Sequence, residues 1–168
     1  MAKEIRVRAP VRVDLAGGWS DRAPFTHDHG GEVINFAIDQ YIEAVMRIDD
    51  SGKLSVEYHS DGPTSSGLGT SGALNVAFLA AISGDGRSPV EIAELAFQFE
   101  ALLGNRGGRQ DQWAAANGGF QHLMFHGENV EIIPFEPMPS ATRLLTRPPH
   151  RAYTHTTQRR NANRSGRG

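Results

Sequence analysis

The chain has 168 residues, of which 39% are hydrophobic and 21% are charged. This composition indicates one packed domain, or one domain and a fragment, and excludes disorder along the whole length. There is no cysteine, which excludes a disulfide framework and any zinc or iron–sulfur site with cysteine ligands. The chain also lacks an apolar run of the roughly 18 residues needed to span a membrane, and its N-terminus lacks the apolar stretch of a signal peptide. We therefore expect a cytoplasmic protein with no membrane partner.

Charge is distributed unevenly along the chain, although the formal net charge is only −2. Residues 141–168 contain seven arginines and no acidic residue, which leaves residues 1–140 with 10 basic and 19 acidic residues and a net charge of −9. Because hydrophobic periodicity stops near Pro139, we predict a domain over residues 1–139 and a basic, disordered tail over residues 140–168. The tail is either an arm that binds nucleic acid or an anionic surface, or a segment that does not continue the domain naturally, for example after a frame change.

The first strand pattern covers residues 5–15. Apolar and polar residues alternate there, and Pro10 interrupts the alternation, which predicts one bent strand or two short ones. Beyond the proline, we expect Val11, Val13 and Leu15 to continue the apolar face.

The remaining elements follow in chain order. A segment with paired glycines at both ends, residues 17–31, is predicted to be a loop. Ser88 is placed to cap a helix, with Pro89 at the first helical position and Glu91 at the spacing of a capping box. The other predicted elements are strands over residues 32–49 and 53–60, helices over 74–82, 88–103 and 108–117, and a hairpin over 118–137. Strands come first and helices second, which indicates an α+β fold.

A glycine-rich loop, "GLGTSGAL", precedes the first predicted helix and occupies residues 67–74. Glycines allow successive backbone N–H groups to converge on an anion, and the start of a helix adds unpaired N–H groups and the positive end of its dipole. The loop has no lysine at the position required for a Walker A motif. From these residues alone, an ordinary loop capped by Ser71 remains an equal alternative.

Three stretches in the same order resemble motifs of the GHMP kinases, which act on sugars and other metabolites. The segment from Pro63 to Ala73 resembles their phosphate loop, P-x-x-x-G-L-G-S-S-A, with Thr70 in place of the usual serine. "RAPVRVDLAGGWSD" resembles the N-terminal substrate motif, and "GGRQDQWAAANGGF" resembles the segment with the catalytic aspartate. The likeness is greatest to fucokinases and heptose-phosphate kinases and covers roughly residues 5–135.

The resemblance implies ATP and Mg²⁺ as cofactors. Ser71 and Glu100 would be the magnesium ligands, although the alternative for Glu100 is a solvated carboxylate beside an apolar stripe. The residues implied in nucleotide binding are Pro63, Gly67, Leu68, Gly69, Thr70, Ser71, Gly72 and Ala73.

The resemblance also implies a catalytic pair and a set of substrate contacts. Asp111 would be the base that accepts a proton from the sugar hydroxyl, and Arg12 would lie beside it; the alternative is a helix-terminal aspartate and an unrelated surface arginine. Trp19 either stacks on a sugar ring or is a partly buried loop aromatic. Arg109 either meets a substrate phosphate or is a surface arginine. The implied substrate-binding residues are Trp19, Ser20, Asp21 and Arg109.

Two histidines in the predicted loop, His27 and His29, flank Asp28. Two histidines and Asp28 on a loop might suggest a metal site, but they lack a further well-spaced ligand of the usual kind. We therefore favour a loop without a metal.

The implied fold is a GHMP kinase N-terminal domain, resembling the ribosomal protein S5 domain 2-like fold, shortened near residues 53–63. GHMP kinases have two domains, and this chain resembles the N-terminal half, so we expect it to be a fragment with little turnover by itself. The implied function is an ATP-dependent sugar kinase that transfers the γ-phosphate to a hydroxyl of fucose or heptose 7-phosphate. The alternative is a noncatalytic nucleotide-binding remnant or binding module. RNA binding is disfavoured, because the body is acidic and has no interleaved basic and aromatic residues.

Overall fold

The computed structural model describes residues 3–63, 66–83 and 86–145. The helical pattern that starts at Leu74 predicts a helix end at Gly84, and both Gly84 and residues 146–168 of the predicted tail lie outside the described residues. A five-stranded antiparallel sheet and five helices make up the described part. The α+β prediction is confirmed.

The five strands are β1 (Lys3–Ala16), β2 (Gly31–Ile48), β3 (Leu54–Ser60), β4 (Phe120–His126) and β5 (Asn129–Ile132). The longest strand, β2, organises the sheet. β1 pairs with β2 along nearly its whole length, while β4 pairs with residues 31–36 of β2 and β3 with residues 42–48. β5 extends the sheet beyond β4.

The helices are α1 (Phe25–Asp28), α2 (Thr70–Ser83), α3 (Pro89–Leu102), α4 (Gln110–Asn117) and α5 (Pro139–Leu145). Three of them pack together on the sheet: α2 and α4 contact both β1 and β2, and α3 contacts α2 and α4. The first residues of the predicted disordered tail lie in α5 and are therefore helical. None of the helices in the described residues is long and apolar enough to cross a lipid bilayer.

The hydrophobic core consists of two clusters that lie between the sheet and these helices. In the first cluster, small residues such as Ala73, Ala77 and Ala96 are fully shielded from solvent, so the helices can approach the sheet closely. In the second, Trp113 packs with Val33, Leu123, Phe125 and Ala93. Burying a large apolar side chain stabilises a fold by about 1.5–3 kcal/mol, so the second cluster anchors α4 to the sheet.

A β-bulge changes the pattern of β1 after Pro10. The pairing with β2 shifts between Pro10 and Arg12, and Val11 and Arg12 are both buried. At this shift the extra residues are in β2, because residues 38–40 of β2 lie opposite the single residue Val11. Such a bulge disrupts the hydrogen-bond ladder locally. The prediction of one bent strand is confirmed, but the expected apolar face is wrong at its end, because Leu15 is 46% exposed.

The first long helix begins earlier than its apolar spacing predicts. The Ala73 N–H donates to the Gly69 carbonyl at 3.0 Å, so the helix begins at Thr70 instead of Leu74. The extra turn consists of Thr70, Ser71, Gly72 and Ala73, which carry no apolar periodicity. Half of the glycine-rich loop therefore forms the first turn of a helix.

The N-terminal cap of α3 provides a test of local stability. Ser88 Oγ accepts a hydrogen bond from the Glu91 N–H at 3.3 Å, and the Ser88 N–H donates to Glu91 Oε2 at 2.7 Å, which is the predicted capping box. We expect Ser88→Ala to lower the free energy of unfolding in urea by about 1 kcal/mol, because the Glu91 N–H loses the Ser88 hydroxyl as its acceptor. Ser55→Ala, on an exposed stretch of β3, is the matched control, and equal losses in both variants would contradict the assignment.

Candidate active site

Arg12 connects three parts of the candidate site. Its Nε and Nη2 atoms lie 2.9 Å and 2.5 Å from Asp111 Oδ1, at the start of α4. Its Nη1 donates to the Gly67 carbonyl at 2.7 Å, and its backbone N–H donates to the Leu68 carbonyl at 3.0 Å. One arginine therefore joins β1, the glycine-rich loop and the helix that carries the predicted base.

The Arg12–Asp111 pair is largely removed from water. The side chains are 11% and 27% exposed, respectively. Because both charges lose hydration, the pair contributes little net stability, but removing one partner from a buried pair typically costs about 3–5 kcal/mol. The contact expected between these residues is present, whereas the alternative of an unrelated surface arginine is wrong. Their catalytic roles stay predictions.

The glycine-rich loop lies directly against α4. A β-carbon on Gly69, whose φ is +71°, would lie 3.1 Å from Asp111 Cγ, and one on Gly72 would lie 2.7 Å from Asp111 Cβ. Within the described part of the chain, the N–H groups of Thr70, Ser71 and Gly72 have no hydrogen-bond acceptor. The first turn of α2 carries no acidic residue. This arrangement fits a phosphate group, because helix N-termini with unpaired N–H groups favour anions.

The other predicted nucleotide-binding residues surround this turn. Gly67 is exposed and has a φ of +77°, and Leu68 packs against the first core cluster. Pro63 is exposed, but residues 64 and 65 lie outside the described residues. The hydrogen bonds from Arg12 to the carbonyls of Gly67 and Leu68 therefore fix the start of the glycine-rich loop. The rest of the loop is fixed as the first turn of α2.

Glu100 is buried at the C-terminal end of α3, so the alternative of a solvated carboxylate is wrong. One carboxylate oxygen accepts from Asn105 Nδ2 at 2.7 Å, and the other accepts from Gln112 Nε2. The Gln112 backbone in turn lies beside Gly72, where an added β-carbon would be 3.1 Å from the Gln112 nitrogen. Glu100 is thus linked to the glycine-rich loop through a single residue.

These residues fit magnesium only with help from a bound phosphate. Within residues 3–63, 66–83 and 86–145, no cluster of three His, Cys, Asp or Glu side chains could hold a metal ion. The Ser71 hydroxyl is on the exposed side of α2, whereas Glu100 is buried. Mg²⁺ is commonly held by one or two carboxylates together with substrate phosphates, so a hydroxyl and one carboxylate suit a nucleotide-bound ion.

Asp21 is 3% exposed and lies at the start of α4. Its Oδ2 accepts a hydrogen bond from the Gln110 N–H at 2.9 Å, and Gly108 lies so close that a β-carbon there would be 1.9 Å from the carboxylate. Burial raises the pKa of the Asp21 carboxyl above its usual range, and the hydrogen bond from the Gln110 N–H partly opposes that rise. Asp21 therefore supports the helix that carries Asp111, and its predicted contact with sugar hydroxyls stays a prediction.

Trp19 and Ser20 lie in the same loop but differ in their exposure and in their hydrogen bonds. Trp19 is 69% exposed, so the alternative of a partly buried aromatic is wrong. Its φ of +76° is unusual for a residue other than glycine, and the Arg22 guanidinium lies 4.7 Å from the centre of its ring. Ser20 Oγ donates to the Gly17 carbonyl at 2.7 Å and accepts from the Glu32 N–H at 3.0 Å, which fastens the loop to β2.

Arg109 is a buried residue, so the alternative of a surface arginine is wrong. Its Nε lies 3.3 Å from Glu94 Oε2, its Nη2 donates to Glu128, and its guanidinium lies 4.0 Å from the centre of the Phe97 ring. Glu94 also accepts from Trp113 Nε1 at 2.8 Å. The two carboxylates compensate the charge of Arg109 and tie the β4–β5 turn to α3 and α4. Its predicted contact with a substrate phosphate remains untested.

Sequence reasoning did not identify several residues that position the site. Gln110 Nε2 donates to Asp14 Oδ2 at 3.3 Å, and Gln112 holds Glu100. Both glutamines are buried, as are their neighbours Trp113 and Ala114. The sequence carried a signal for this role, because the two glutamines lie next to a short apolar run at the start of a helix. A glutamine that is buried in such a place requires a hydrogen-bond partner.

Comparison with known proteins agrees with this geometry. The family profile for the GHMP kinases N terminal domain matches residues 34–119, from the middle of the sheet to the end of α4. This chain belongs to the GHMP kinases. The matched range contains the glycine-rich loop, Glu100 and Asp111.

Relatives of the chain include sugar and sugar-phosphate kinases. It is 28% identical to D-glycero-alpha-D-manno-heptose 7-phosphate kinase of Campylobacter jejuni, over 78% of this chain and 53% of that protein. It is also 28% identical to a bifunctional fucokinase/GDP-fucose pyrophosphorylase of Arabidopsis thaliana, over 66% of this chain and 16% of that protein. The chain thus spans about half of the first relative and a smaller part of the second.

A solved structure shares the fold. The crystal structure of a D-glycero-D-manno-heptose 1-phosphate kinase from Bacteroides thetaiotaomicron matches with a TM-score of 0.71 and 25% identity, over 81% of this chain and 60% of that one. A phosphomevalonate kinase of Streptococcus pneumoniae matches with a TM-score of 0.65 at 14% identity, which supports the fold alone.

The close approach of Gly72 to α4 can be tested by adding one methyl group. An alanine normally stabilises a helix by about 1 kcal/mol relative to glycine, but in Gly72→Ala the new carbon meets Asp111 and the backbone of α4. We expect a net loss of about 1–3 kcal/mol in urea unfolding, as in other overpacked cores. Gly86→Ala is the control, because a β-carbon there has open space. Stabilisation by Gly72→Ala would contradict the observed packing.

The buried carboxyl of Asp21 predicts a pH-dependent difference between the wild type and Asp21→Asn. Below the ordinary pKa of 3.8, the carboxyl is protonated in both the folded and the unfolded chain. As the pH rises, the unfolded carboxyl ionises first, so the wild type loses stability relative to the variant until the raised folded pKa is passed. We expect the Tm of the variant minus that of the wild type to increase from about pH 3 to about pH 7 in thermal melts. A difference that falls over this range would refute the effect of burial.

Proposed function

We propose that this protein is an ATP-dependent sugar kinase that transfers the γ-phosphate of ATP to a hydroxyl of a sugar or sugar phosphate, such as fucose or heptose 7-phosphate. The observation that carries the proposal is the placement of Asp111 by Arg12 beside a glycine-rich helix N-terminus. This arrangement supports the proposal, because phosphoryl transfer to a hydroxyl requires a proton acceptor close to the bound phosphates, and Asp111 and the first turn of α2 would supply these two parts.

The nucleotide would bind with its phosphates at residues 67–73. The unpaired N–H groups of Thr70, Ser71 and Gly72 support this role, because they offer donors and a positive dipole end. Gly69 and Gly72 keep the space against α4 free of side chains. Pro63 would form the entry to the same loop.

Asp111 would accept the proton of the attacking hydroxyl. The hydroxyl oxygen forms a bond to the γ-phosphorus, the bond from that phosphorus to the bridging oxygen breaks, and ADP leaves. Arg12 would hold the carboxylate in place through Oδ1 and would stabilise negative charge that develops on the attacking oxygen. Asp111 Oδ2 makes no hydrogen bond with the described residues, which supports its availability to a ligand.

Ser71 and Glu100 would hold the magnesium ion, with phosphate oxygens completing its ligands. A bound Mg²⁺ neutralises charge on the phosphates during transfer. Gln112 and Asn105 would keep the Glu100 carboxylate oriented, since both donate to it. The sugar would be bound by the loop that contains Trp19, Ser20 and Asp21. Arg109 would be the fourth substrate-binding residue. We further propose that the reaction takes place in the cytoplasm.

A second candidate function is that of a noncatalytic nucleotide-binding module. It is favoured by the N–H groups at the start of α2, which have no acceptor within the described residues and could hold a phosphate whether or not transfer follows. The phosphate-binding turn could act without phosphoryl transfer. Nucleotide binding and phosphoryl transfer are therefore tested separately.

The test uses the full 168-residue chain. We expect Mg²⁺–ATP to shift the backbone amide signals of residues 67–73 in ¹⁵N-labelled protein, and slow transfer of label from γ-³²P-ATP to fucose or heptose 7-phosphate under single-turnover conditions. Asp111→Asn should lower the transfer rate by about 100-fold or more while leaving nucleotide affinity within a few-fold, because the asparagine side chain has the same shape and an oxygen that can still accept from Arg12 but cannot take up the proton.

The matched control is Asp28→Asn, an exposed aspartate at the end of α1. It should change neither nucleotide binding nor transfer. Binding of ATP without transfer in the wild type would favour the noncatalytic module, and the absence of ATP-dependent shifts at residues 67–73 would reject both functions.

A further inference from the structure

Four arginines surround the start of α4, and they differ in how their charge is compensated. Arg12 is paired with Asp111, and Arg109 is paired with Glu94 and Glu128. Within the described ranges of the chain, neither Arg22 nor Arg106 forms an ion pair with a carboxylate. These two positive charges stand out because residues 1–140 carry a net charge of −9.

Arg22 and Arg106 form one group with Trp19, which we name the arginine–tryptophan cluster. Arg22 Nη2 donates to the Arg106 carbonyl at 2.7 Å, and the Arg22 guanidinium lies 4.7 Å from the centre of the Trp19 ring. The indole is 69% exposed, and the Arg106 side chain is also exposed. The indole and one hydrogen bond hold the Arg22 guanidinium in place, and its other N–H donors remain for a ligand, since a guanidinium has five.

The cluster lies at the edge of the candidate active site. Arg22 directly follows Asp21, whose carboxylate accepts the Gln110 N–H at the start of α4. Arg106 precedes Asp111 by five residues, and Gly108 between them contacts Asp21. The glycine-rich loop contacts α4 at Asp111 through Gly69 and Gly72, whereas the cluster reaches α4 through Asp21 and Gly108.

We infer that the arginine–tryptophan cluster binds the non-reacting phosphate of a sugar-phosphate substrate, with Trp19 against the sugar and Arg22 and Arg106 on the phosphate. The inference rests on the proposed kinase function and narrows its substrate class from sugars in general to sugar phosphates. The Arg22 guanidinium beside the exposed Trp19 ring, together with the exposed side chain of Arg106 next along the same contact, suits a ligand with an apolar ring face and a dianionic end. A neutral sugar would leave both charges without a partner.

This inference moves the phosphate contact away from Arg109. The Arg109 guanidinium is held by two carboxylates and by the Phe97 ring, so a phosphate would have to displace Glu94 or Glu128. Arg22 and Arg106 require no such displacement. They are therefore the specificity-determining residues, and Arg109 acts as a positioning residue for α4.

The experiment follows the indole N–H signal of Trp19 in the full ¹⁵N-labelled chain. This signal is distinguished from that of the buried Trp113 by its loss in Trp19→Phe. The probes are heptose 7-phosphate, fucose, inorganic phosphate and Mg²⁺–ATP. We expect heptose 7-phosphate to shift the signal with a Kd at least tenfold lower than that of fucose or inorganic phosphate. We expect Arg22→Gln to raise that Kd at least tenfold, and Arg106→Gln to raise it by several-fold.

The matched control is Arg87→Gln, a substitution of an exposed arginine that precedes the N-terminus of α3. Arg106 follows the C-terminus of this helix, which has 14 residues and is therefore about 20 Å long. The control should leave every Kd unchanged. Arg22→Lys keeps the charge but loses the planar donor group, and we expect its affinity for heptose 7-phosphate to lie between those of the wild type and Arg22→Gln. The spread of amide signals reports whether each variant is folded. If Arg22→Gln does not fold, Arg22→Lys replaces it in the test.

Three results would overturn the inference. They are equal affinity for fucose and heptose 7-phosphate, equal affinity for inorganic phosphate and heptose 7-phosphate, and a Trp19 signal that does not respond to heptose 7-phosphate, whether or not it responds to ATP. Failure of the kinase proposal is seen separately, because it would remove the ATP-dependent shifts at residues 67–73 whether or not Trp19 responds to heptose 7-phosphate.

Discussion

The candidate site depends on the position of one guanidinium group. Arg12 contacts Asp111 with two of its nitrogens and the Gly67 carbonyl with the third, while its own backbone N–H binds the Leu68 carbonyl. These bonds set the distance between the glycine-rich loop and α4. Because a guanidinium is planar and always charged, it imposes a direction on each partner that a lysine could not impose.

The start of α4 is the place where the constraints meet. The Asp21 carboxylate accepts a hydrogen bond from the Gln110 N–H. Arg109, the residue directly before α4, is bonded to α3 and to the β4–β5 turn. Gly72, which has no side chain, packs against Asp111. Each contact comes from a different part of the chain. The helix has only eight residues, which is too short for stable helicity by propensity alone, so these tertiary contacts and the burial of Trp113 hold it.

The three carboxylates near the site are held in three different ways. Asp111 faces an arginine, Glu100 is held by the side-chain amides of Asn105 and Gln112, and Asp21 is held by a backbone N–H. Only Asp111 has a cation in direct contact, whereas the pKa of Asp21 is raised by burial. Carboxylates held by such different partners are suited to different tasks.

Local patterns in the sequence were sufficient for the elements and for the motifs. The capping box at Ser88, the hairpin after α4 and the order of strands and helices depend on neighbours within a few residues, so they could be predicted. The bulge after Pro10, the earlier start of α2, the burial of Glu100 and Arg109, and the exposure of Trp19 could not. These depend on which distant segment packs against a residue: Arg12 meets Asp111 across 99 positions of sequence, and Asp21 meets Gln110 across 89. Sequence spacing carries no measure of such contacts, because packing between separate elements decides which polar groups lose water and which partners replace it.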